Sequence, residues 1–189
     1  MQFKELETER LILRKLEERD IPVFWEQFYN DYEKYKFFEY EEIKEYAAFK
    51  ERTEEQLKRY EQKEYYKWSI VEKTSGFCIG MINLHHYDST NQQIKVGYFL
   101  FPNYRKKGYA LESLQCVISF AFDTLKIHRI IATTIAGNTD SNKVLLKAGF
   151  QLEGTKRKDH YIDGTYYDSH IFGLLESDIS PNHFLDKEE

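Results

Sequence analysis

The sequence predicts an α/β fold in which one mixed β-sheet of about seven strands carries helices on both faces. Apolar residues recur at steps of three and four from Leu111 to Leu125, which predicts an amphipathic helix. Apolar runs at 92–101 and 129–135 flank that helix, so the three segments predict a β-α-β unit. The length of 189 residues is typical of one domain. We expect that domain at residues 1–176, followed by a polar tail at 177–189.

The other elements follow from periodicity and from turn residues. A strand is expected at 8–14, then helices at 17–32 and 41–62, the second with Ile43, Ala47, Leu57 and Tyr60 facing inwards. Further strands are expected at 66–73, 77–86 and 92–101, the last of which ends at Pro102. A helix at 140–148, closed by Gly149, and a hairpin of 150–161 and 165–175 complete the fold.

Composition excludes several classes of function. The formal net charge of −5 argues against general nucleic-acid binding. No apolar stretch approaches the ~20 residues that span a bilayer, and the polar N-terminus does not resemble a signal peptide. We therefore expect a cytoplasmic protein that does not bind membranes. Cys78 and Cys116 lie within apolar patterns and are predicted to be free thiols, and two cysteines do not predict a metal site.

The first third of the chain is acidic and aromatic. Residues 1–64 hold 18 of the 32 acidic residues and 13 of the 27 basic ones. The same region contains Phe24, Trp25, Phe28, Tyr29, Tyr32, Tyr35, Phe37, Phe38, Tyr40, Tyr46 and Phe49. Such a surface could attract a cationic substrate through charge and cation–π contacts. Alternatively, the rings belong to the core and the acids lie on solvated helix faces.

A basic loop between a strand and a helix is the most informative motif. It consists of Arg105, Lys106, Lys107, Gly108, Tyr109 and Ala110. The first turn of a helix offers unpaired backbone N–H groups and partial positive charge, and a glycine lets a ligand approach the main chain closely. Three consecutive cations add charge complementary to phosphate. The loop therefore predicts a pyrophosphate site.

Several segments of the chain resemble the GNAT superfamily of N-acetyltransferases. The loop Arg105–Ala110 is similar to the family's Arg/Gln-x-x-Gly-x-Gly/Ala pyrophosphate loop. The residues 138–141, followed by Gly149-Phe150, resemble the second acetyl-CoA motif. Residues 7–14 and 168–175 are similar to the ribosomal-protein N-acetyltransferase (RimJ/RimL-like) branch. The resemblance covers nearly the whole domain and implies the GNAT acyl-CoA N-acyltransferase fold.

The resemblance also implies a set of acetyl-CoA contacts. The loop amides would hold the diphosphate, and the strand before the loop would splay from its neighbour. Main-chain groups of Phe99, Leu100 and Phe101 would then pair with the pantetheine arm, and one N–H would polarise the thioester carbonyl. Asn138 would bind the pantetheine, and Ser141 would lie near the sulfur. No metal is implied.

Two positions that commonly carry catalytic residues in the family hold other residues in this chain. Lys95 stands where many relatives carry a glutamate base, and Leu145 stands where a tyrosine acid is common. Ser141 is the remaining donor for the leaving thiolate, although it could instead cap the helix at 140–148. Glu112 could orient substrate, or it could simply complement the helix dipole. His86, or its neighbour His85, could relay a proton, or both could be surface residues.

The acceptor is predicted to be a primary amine that attacks the thioester directly. At pH 7 an α-amino group with a pKa near 7.8 loses its proton at a cost of about 1 kcal/mol, against roughly 4.6 kcal/mol for an alkylamine. A protein N-terminus therefore needs less help from a base. The alternatives are a small amine, such as a polyamine or aminoglycoside, and a CoA-binding regulatory module without catalysis. The resemblance is also compatible with a homodimer.

Overall fold

The computed structural model describes residues 3–29, 45–58 and 66–179. Its strands are β1 (Leu6–Glu7), β2 (Leu11–Lys15), β3 (Tyr66–Glu72), β4 (Cys78–Asp88), β5 (Gln93–Leu100), β6 (Arg129–Ile135), β7 (Gln151–Ile162) and β8 (Thr165–Leu175). The α-helices among the described residues are α1 (Ile21–Tyr29), α2 (Tyr46–Lys58), α3 (Tyr109–Ser119) and α4 (Thr139–Lys147). Most of these elements match the predicted ones.

All eight strands form one mixed sheet in the order β1-β2-β3-β4-β5-β6-β8-β7. Every neighbouring pair is antiparallel except β5 and β6, which are parallel as expected for strands joined by a helix. The β5–β6 register contains three residue pairs, from Gln93–Arg129 to Lys95–Ile131. Beyond Lys95 the two strands separate, so the predicted splay is present.

Helices cover both faces of the sheet, and this confirms the predicted α/β class. On one face, Leu114, Ile118 and Leu145 of α3 and α4 are fully buried in the main core. On the other face, Phe24 of α1 packs in a second cluster with Met81, Phe99, Phe101, Leu16 and Cys78. The parting of β5 from β6 therefore lies between two packed layers.

The start of the predicted strand at 8–14 is wrong, because residues 8–10 form a turn between β1 and β2. The backbone N–H of Thr8 donates to the carbonyl of Leu11 at 3.0 Å, and the N–H of Leu11 donates to the Thr8 hydroxyl at 3.0 Å. These bonds fold β1 back onto β2 as a short hairpin. The sheet therefore has eight strands rather than about seven.

The first two helices differ in detail from the prediction. A 3₁₀ turn at Glu18–Asp20 precedes α1. In α2, Ala47 is exposed and not inward-facing, whereas Thr53 is buried. The predicted end of the first helix at 32, and the predicted start and end of the second helix at 41 and 62, lie outside the described residues. The same holds for the expected inward side chains of Ile43, Leu57 and Tyr60.

Helix α3 confirms the predicted amphipathic pattern. Leu114, Ile118 and Ala121 are fully buried, and Leu111 and Leu125 pack against the same core. The chain continues from α3 into a π-helical turn at Phe120–Thr124. The buried face holds the start of α3 firmly against the sheet, beside the point where β5 and β6 part.

The last described residues remain attached to the fold. Residues Glu176–Asp178 form a 3₁₀ turn, and Ile179 packs against the core. The rest of the predicted tail lies outside the described residues. Cys78 is buried and Cys116 is half-buried, and both are free thiols. Within the described segments, no helix is long and apolar enough to cross a membrane.

Candidate active site

A cleft of about 870 Å³ opens where β5 and β6 separate. Its walls come from β4, β5, β6, the loop before α3, helix α4 and, at His160, β7. Of the predicted site residues, those lining the cleft are His86, Phe99, Leu100, Arg105, Lys106, Gly108, Tyr109, Ala110, Asn138 and Ser141. Phe101, Lys107 and Glu112 do not line it.

The main chain of β5 supplies one wall. Phe101 donates its N–H to the carbonyl of Ile79 at 2.9 Å, so its main chain faces β4 rather than the cleft. Hydrogen bonding alternates along an antiparallel pair, so Phe99 also faces β4. The same alternation directs the main-chain groups of Tyr98 and Leu100 towards the opening. The pattern favours these two residues over Phe99 and Phe101 as main-chain partners for a ligand.

The loop Arg105–Ala110 has the geometry of an anion site. Lys106 has a φ of 60° and Gly108 a φ of 85°, both in the left-handed region. Gly108 is the N-cap of α3, whose first N–H groups lack partners within the helix. Left-handed residues beside free amides form concave sites for anions. Arg105 is held in place by a hydrogen bond from its Nε to the carbonyl of Leu100, at 3.0 Å.

Lys107 turns away from the cleft. Its ammonium lies 5.2 Å from the centre of the Tyr104 ring, and its carbonyl accepts a hydrogen bond from Arg10. Two other lysines, Lys143 and Lys147 of α4, line the cleft instead. Sequence reasoning missed both, although their spacing of four residues places them on one face of the helix. We call Arg105–Ala110 together with Asn138–Lys147 the loop side of the cleft.

Ser141 is held in the cleft by a tyrosine that the sequence did not indicate. Asn138 caps α4 by accepting the N–H of Ser141 at 3.3 Å, so Asn138, and not Ser141, is the N-cap. The Ser141 hydroxyl lies 3.0 Å from the hydroxyl of Tyr98. Burial raises the pKa of Tyr98. Leu145, at the position where a tyrosine was expected, is fully buried and carries no hydroxyl, and the phenol beside Ser141 comes from Tyr98 instead.

Glu112 is engaged elsewhere. Its carboxylate accepts hydrogen bonds from the Thr8 hydroxyl at 2.6 Å and from the Arg10 backbone at 2.9 Å, and it pairs with the Arg10 guanidinium at 2.6 Å. Burial alone would raise the pKa of Glu112, but these hydrogen bonds outweigh it and lower the pKa. The geometry supports a structural role in which Glu112 ties α3 to the β1–β2 hairpin.

A second part of the cleft wall, on β4 and β5, carries Asn83, His85, His86 and Lys95, which we call the histidine side. Antiparallel pairing puts His85 directly across from Lys95 and Asn83 across from Gly97. The two histidines touch through their Nδ1 atoms, 2.5 Å apart. Burial, His86 and Lys95 together lower the pKa of His85 to about 4. His85 is therefore neutral at neutral pH.

The described aromatic residues of the first third serve mainly in packing. Phe24 packs edge-on against Phe99, with ring centres 5.8 Å apart. The centre of the Trp25 ring lies 5.7 Å from the centre of the Tyr46 ring and 5.4 Å from that of the Phe49 ring. The side chains of Phe28, Tyr29, Tyr32, Tyr35, Phe37, Phe38 and Tyr40 lie outside the described part. In the described segments no three His, Cys, Asp or Glu side chains are grouped to hold a metal.

Comparison with known proteins agrees with the geometry of the cleft. Residues 10–151 match the model of the acetyltransferase (GNAT) domain. The chain is 30% identical over 174 residues to the uncharacterized N-acetyltransferase YoaA of Bacillus subtilis, covering 92% of this chain and 98% of YoaA. It is also 25% identical over 114 residues to the ribosomal-protein-serine acetyltransferase of Escherichia coli, covering 60% and 63% of the two chains.

A solved structure extends the likeness to the fold. Spermidine N-acetyltransferase from Vibrio cholerae, in complex with CoA and spermine, superposes with a TM-score of 0.80. It is 19% identical in sequence, and the match covers 90% of this chain and 98% of that one. The proteins similar to this chain thus include one named for a ribosomal-protein acceptor and one named for a polyamine acceptor.

Proposed function

We propose that this chain, which belongs to the GNAT family of acetyltransferases, acetylates the α-amino group at the N-terminus of a protein or peptide. The family match and its N-acetyltransferase relatives establish acetyl transfer from acetyl-CoA to an amine, rather than a non-catalytic CoA-binding module. The choice between a protein N-terminus and a small amine rests on the charge of the cleft.

The observation that carries this choice is the excess of cations in the cleft. Its described lining contains one carboxylate, Asp140, against five basic side chains: Lys95, Arg105, Lys106, Lys143 and Lys147. The four on the loop side suit the phosphates of CoA. Lys95 lies on β5, five residues before that strand ends at Leu100, and therefore away from the loop. A polyamine would bring two or more positive charges against it, which is unfavourable.

A buried lysine on the same sheet face adds to this effect. Lys67 of β3 lies across from Asn83, in the same row as Gly97. Burial and the nearby Arg52 lower the pKa of Lys67 to about 8, so it is still mostly protonated at pH 7. This side of the sheet therefore favours an acceptor with a single, weakly basic amine. An α-amino group meets that requirement, because it is partly neutral at pH 7.

We assign the loop side to acetyl-CoA. The amides of Gly108, Tyr109 and Ala110 would bind the diphosphate, with Arg105 and Lys106 supplying charge. The β5 main chain at Tyr98 and Leu100 would pair with the pantetheine arm, and Asn138, which also lines the cleft, would bind the same arm. Ser141, hydrogen-bonded to Tyr98, would give its proton to the leaving thiolate as the C–S bond breaks.

The proposal is tested by comparing acceptors at pH 7 with one concentration of acetyl-CoA. The panel contains a short peptide with a free N-terminus and one internal lysine, the same peptide with its N-terminus blocked, and spermidine. We expect release of CoA with the free peptide, with mass spectrometry placing the acetyl group on the α-nitrogen. The blocked peptide is the matched control, because it keeps the lysine and loses only the α-amine.

Two results would contradict this acceptor. Faster turnover of spermidine than of the free peptide would favour the small-amine alternative. Equal turnover of the free and blocked peptides would place the reaction on the lysine side chain.

A further inference from the structure

His85 and His86 contact each other because β4 is irregular at this point. Successive side chains of a regular strand point to opposite faces. The β4–β5 register breaks between His85 and Asp88, and His86 has a φ of 52°. The two rings consequently lie 4.8 Å apart in an edge-on arrangement, and both line the cleft. Bulges of this kind commonly re-aim side chains beside active sites.

The pair connects the centre of the cleft with its surface. The Nε2 atom of His85 points to Gly97, 3.6 Å from where a Cβ on that glycine would lie. Gly97 is two residues beyond Lys95, the last β5 residue paired with β6, so this atom lies at the opening. The Nδ1 atom of His85 contacts His86, whose side chain is exposed. An imidazole can accept a proton at one nitrogen and release one from the other.

The other side chains of the histidine side do not offer a basic atom. The Lys95 ammonium has donors only, and the Asn83 amide does not titrate at ordinary pH. On β4 and β5 the titratable neighbours of His85 are His86 and Lys95. On β3, Lys67 pairs with Asn83 and so belongs to the same sheet face. Burial, His86 and Lys95 all disfavour a positive charge on His85. Because its protonated form is disfavoured, His85 can pass a proton on but does not retain one.

We propose that His85 and His86 form a proton relay that takes the acceptor's proton from the cleft to solvent. As the amine nitrogen bonds to the thioester carbon, its N–H proton moves to Nε2 of His85. The Nδ1 proton of His85 passes to Nδ1 of His86, and the Nε2 proton of His86 goes to water. Both rings end neutral, and exchange with water restores the starting tautomers. The relay rests on the proposed function only in requiring an amine acceptor.

The direct test compares His85→Gln and His86→Gln with His128→Gln, a matched change at an exposed histidine outside the cleft. General-base assistance is typically worth about 10²–10⁴-fold, so we expect kcat to fall at least ~100-fold in His85→Gln. We expect a roughly tenfold fall in His86→Gln, because water can replace an exposed second ring. The affinity for acetyl-CoA should stay unchanged in all three.

Two further measurements separate a chemical role from a structural one. Added imidazole should raise kcat of His85→Ala, and it should leave His128→Gln unchanged. Installing a carboxylate across the strand pair, in His85→Gln/Lys95→Glu, should recover part of the lost kcat. A structural role predicts neither rescue. If His85→Gln does not fold, His86→Gln still tests the relay, because its side chain is exposed.

The kinetics are measured with whichever amine the wild-type protein acetylates fastest. A preference for spermidine would overturn the proposed acceptor and leave the relay standing. A kcat of His85→Gln or His86→Gln within about twofold of wild type would overturn the relay and leave the acceptor standing. A wild-type protein that binds acetyl-CoA and acetylates no amine on the panel would overturn both.

Discussion

The loop side and the histidine side of the cleft are built from different parts of the chain. The loop side presents main-chain amides at the start of α3, in the six consecutive residues 105–110, together with the capped helix start at Asn138. The histidine side presents side chains on two antiparallel strands, and a register break brings two of them together. The first depends on local backbone conformation, whereas the second depends on strand pairing. Donor binding and acceptor chemistry can therefore be altered separately, and four substitutions test this separation.

The largest expected effect is a fall in kcat when the Ser141 side chain on the loop side is changed. Ser141→Ala keeps the backbone N–H that Asn138 accepts and removes the hydroxyl that lies beside Tyr98. If that hydroxyl protonates the thiolate, kcat should fall about 100-fold with little change in acetyl-CoA affinity. Tyr98→Phe should have a smaller effect, because it removes only the partner. Unchanged turnover in Ser141→Ala would exclude an acid role for this residue.

The next effect tests whether the loop side depends on its backbone. A β-branched residue is strained at the φ of 85° of Gly108, so Gly108→Val should shift the amides and weaken acetyl-CoA binding roughly 30-fold, or ~2 kcal/mol. The matched control is Gly76→Val, which carries similar strain at a φ of 70° in a turn where a Cβ meets nothing within 4 Å.

Calorimetry with acetyl-CoA and thermal melting measure the two consequences. Both variants should melt at lower temperature, and only Gly108→Val should lose affinity. Equal affinity losses in the two variants would mean that general destabilisation, rather than loop geometry, weakens binding.

The loop side could be predicted from sequence because its signals are local. Gly108 before an amphipathic helix marks a helix start, and Asn138 before a polar first turn marks an N-cap. Each signal lies within a few residues of the structure it specifies. The same locality made the strand at 129–135 and the helix closed by Gly149 predictable.

Features that depend on distant residues could not be predicted in this way. The Tyr98–Ser141 contact joins residues 43 positions apart, and the Glu112–Arg10 pair joins residues 102 apart. A single residue added to β4 decides whether His85 and His86 touch, and no local pattern announces such a bulge. The division of β1 from β2 at Thr8 was missed for a related reason, because a threonine is favourable within a strand.

A smaller effect tests whether the histidine side depends on its side chains. A Cβ at Gly97 would lie 2.9 Å from Oδ1 of Asn83 and 3.6 Å from Nε2 of His85. Gly97→Ala should therefore displace these groups and reduce kcat/KM for the acceptor roughly tenfold, while acetyl-CoA affinity is retained. Gly154→Ala is the control, because a Cβ there meets nothing within 4 Å. A loss of acetyl-CoA affinity equal to the loss of kcat/KM would show that the two sides are not separable.

The smallest effect is a dependence of stability on pH that belongs to the histidine side. The pKa of His85 is lowered from its ordinary 6.5 to about 4 in the folded protein. Between these values the unfolded chain binds a proton at this position and the folded protein does not. The contribution of His85 to stability is therefore lost as the pH falls from about 6.5 to about 4. Glutamine does not titrate in this range. As the pH falls from about 6.5 to about 4, the melting temperature of wild type should therefore drop by a few degrees relative to that of His85→Gln.

Two controls assign this pH dependence to the local charges. Lys95→Gln removes one of the groups that lower the pKa of His85, so its melting curve should depend less on pH in the same window. Lys106→Gln, on the loop side, removes a lysine that does not face His85 and should follow wild type. If the difference in melting temperature between wild type and His85→Gln is the same at every pH between 7 and 4, His85 titrates normally in the folded protein. In that case the relay would lose the charge environment that keeps it neutral, and the histidine side would differ from the loop side in geometry alone.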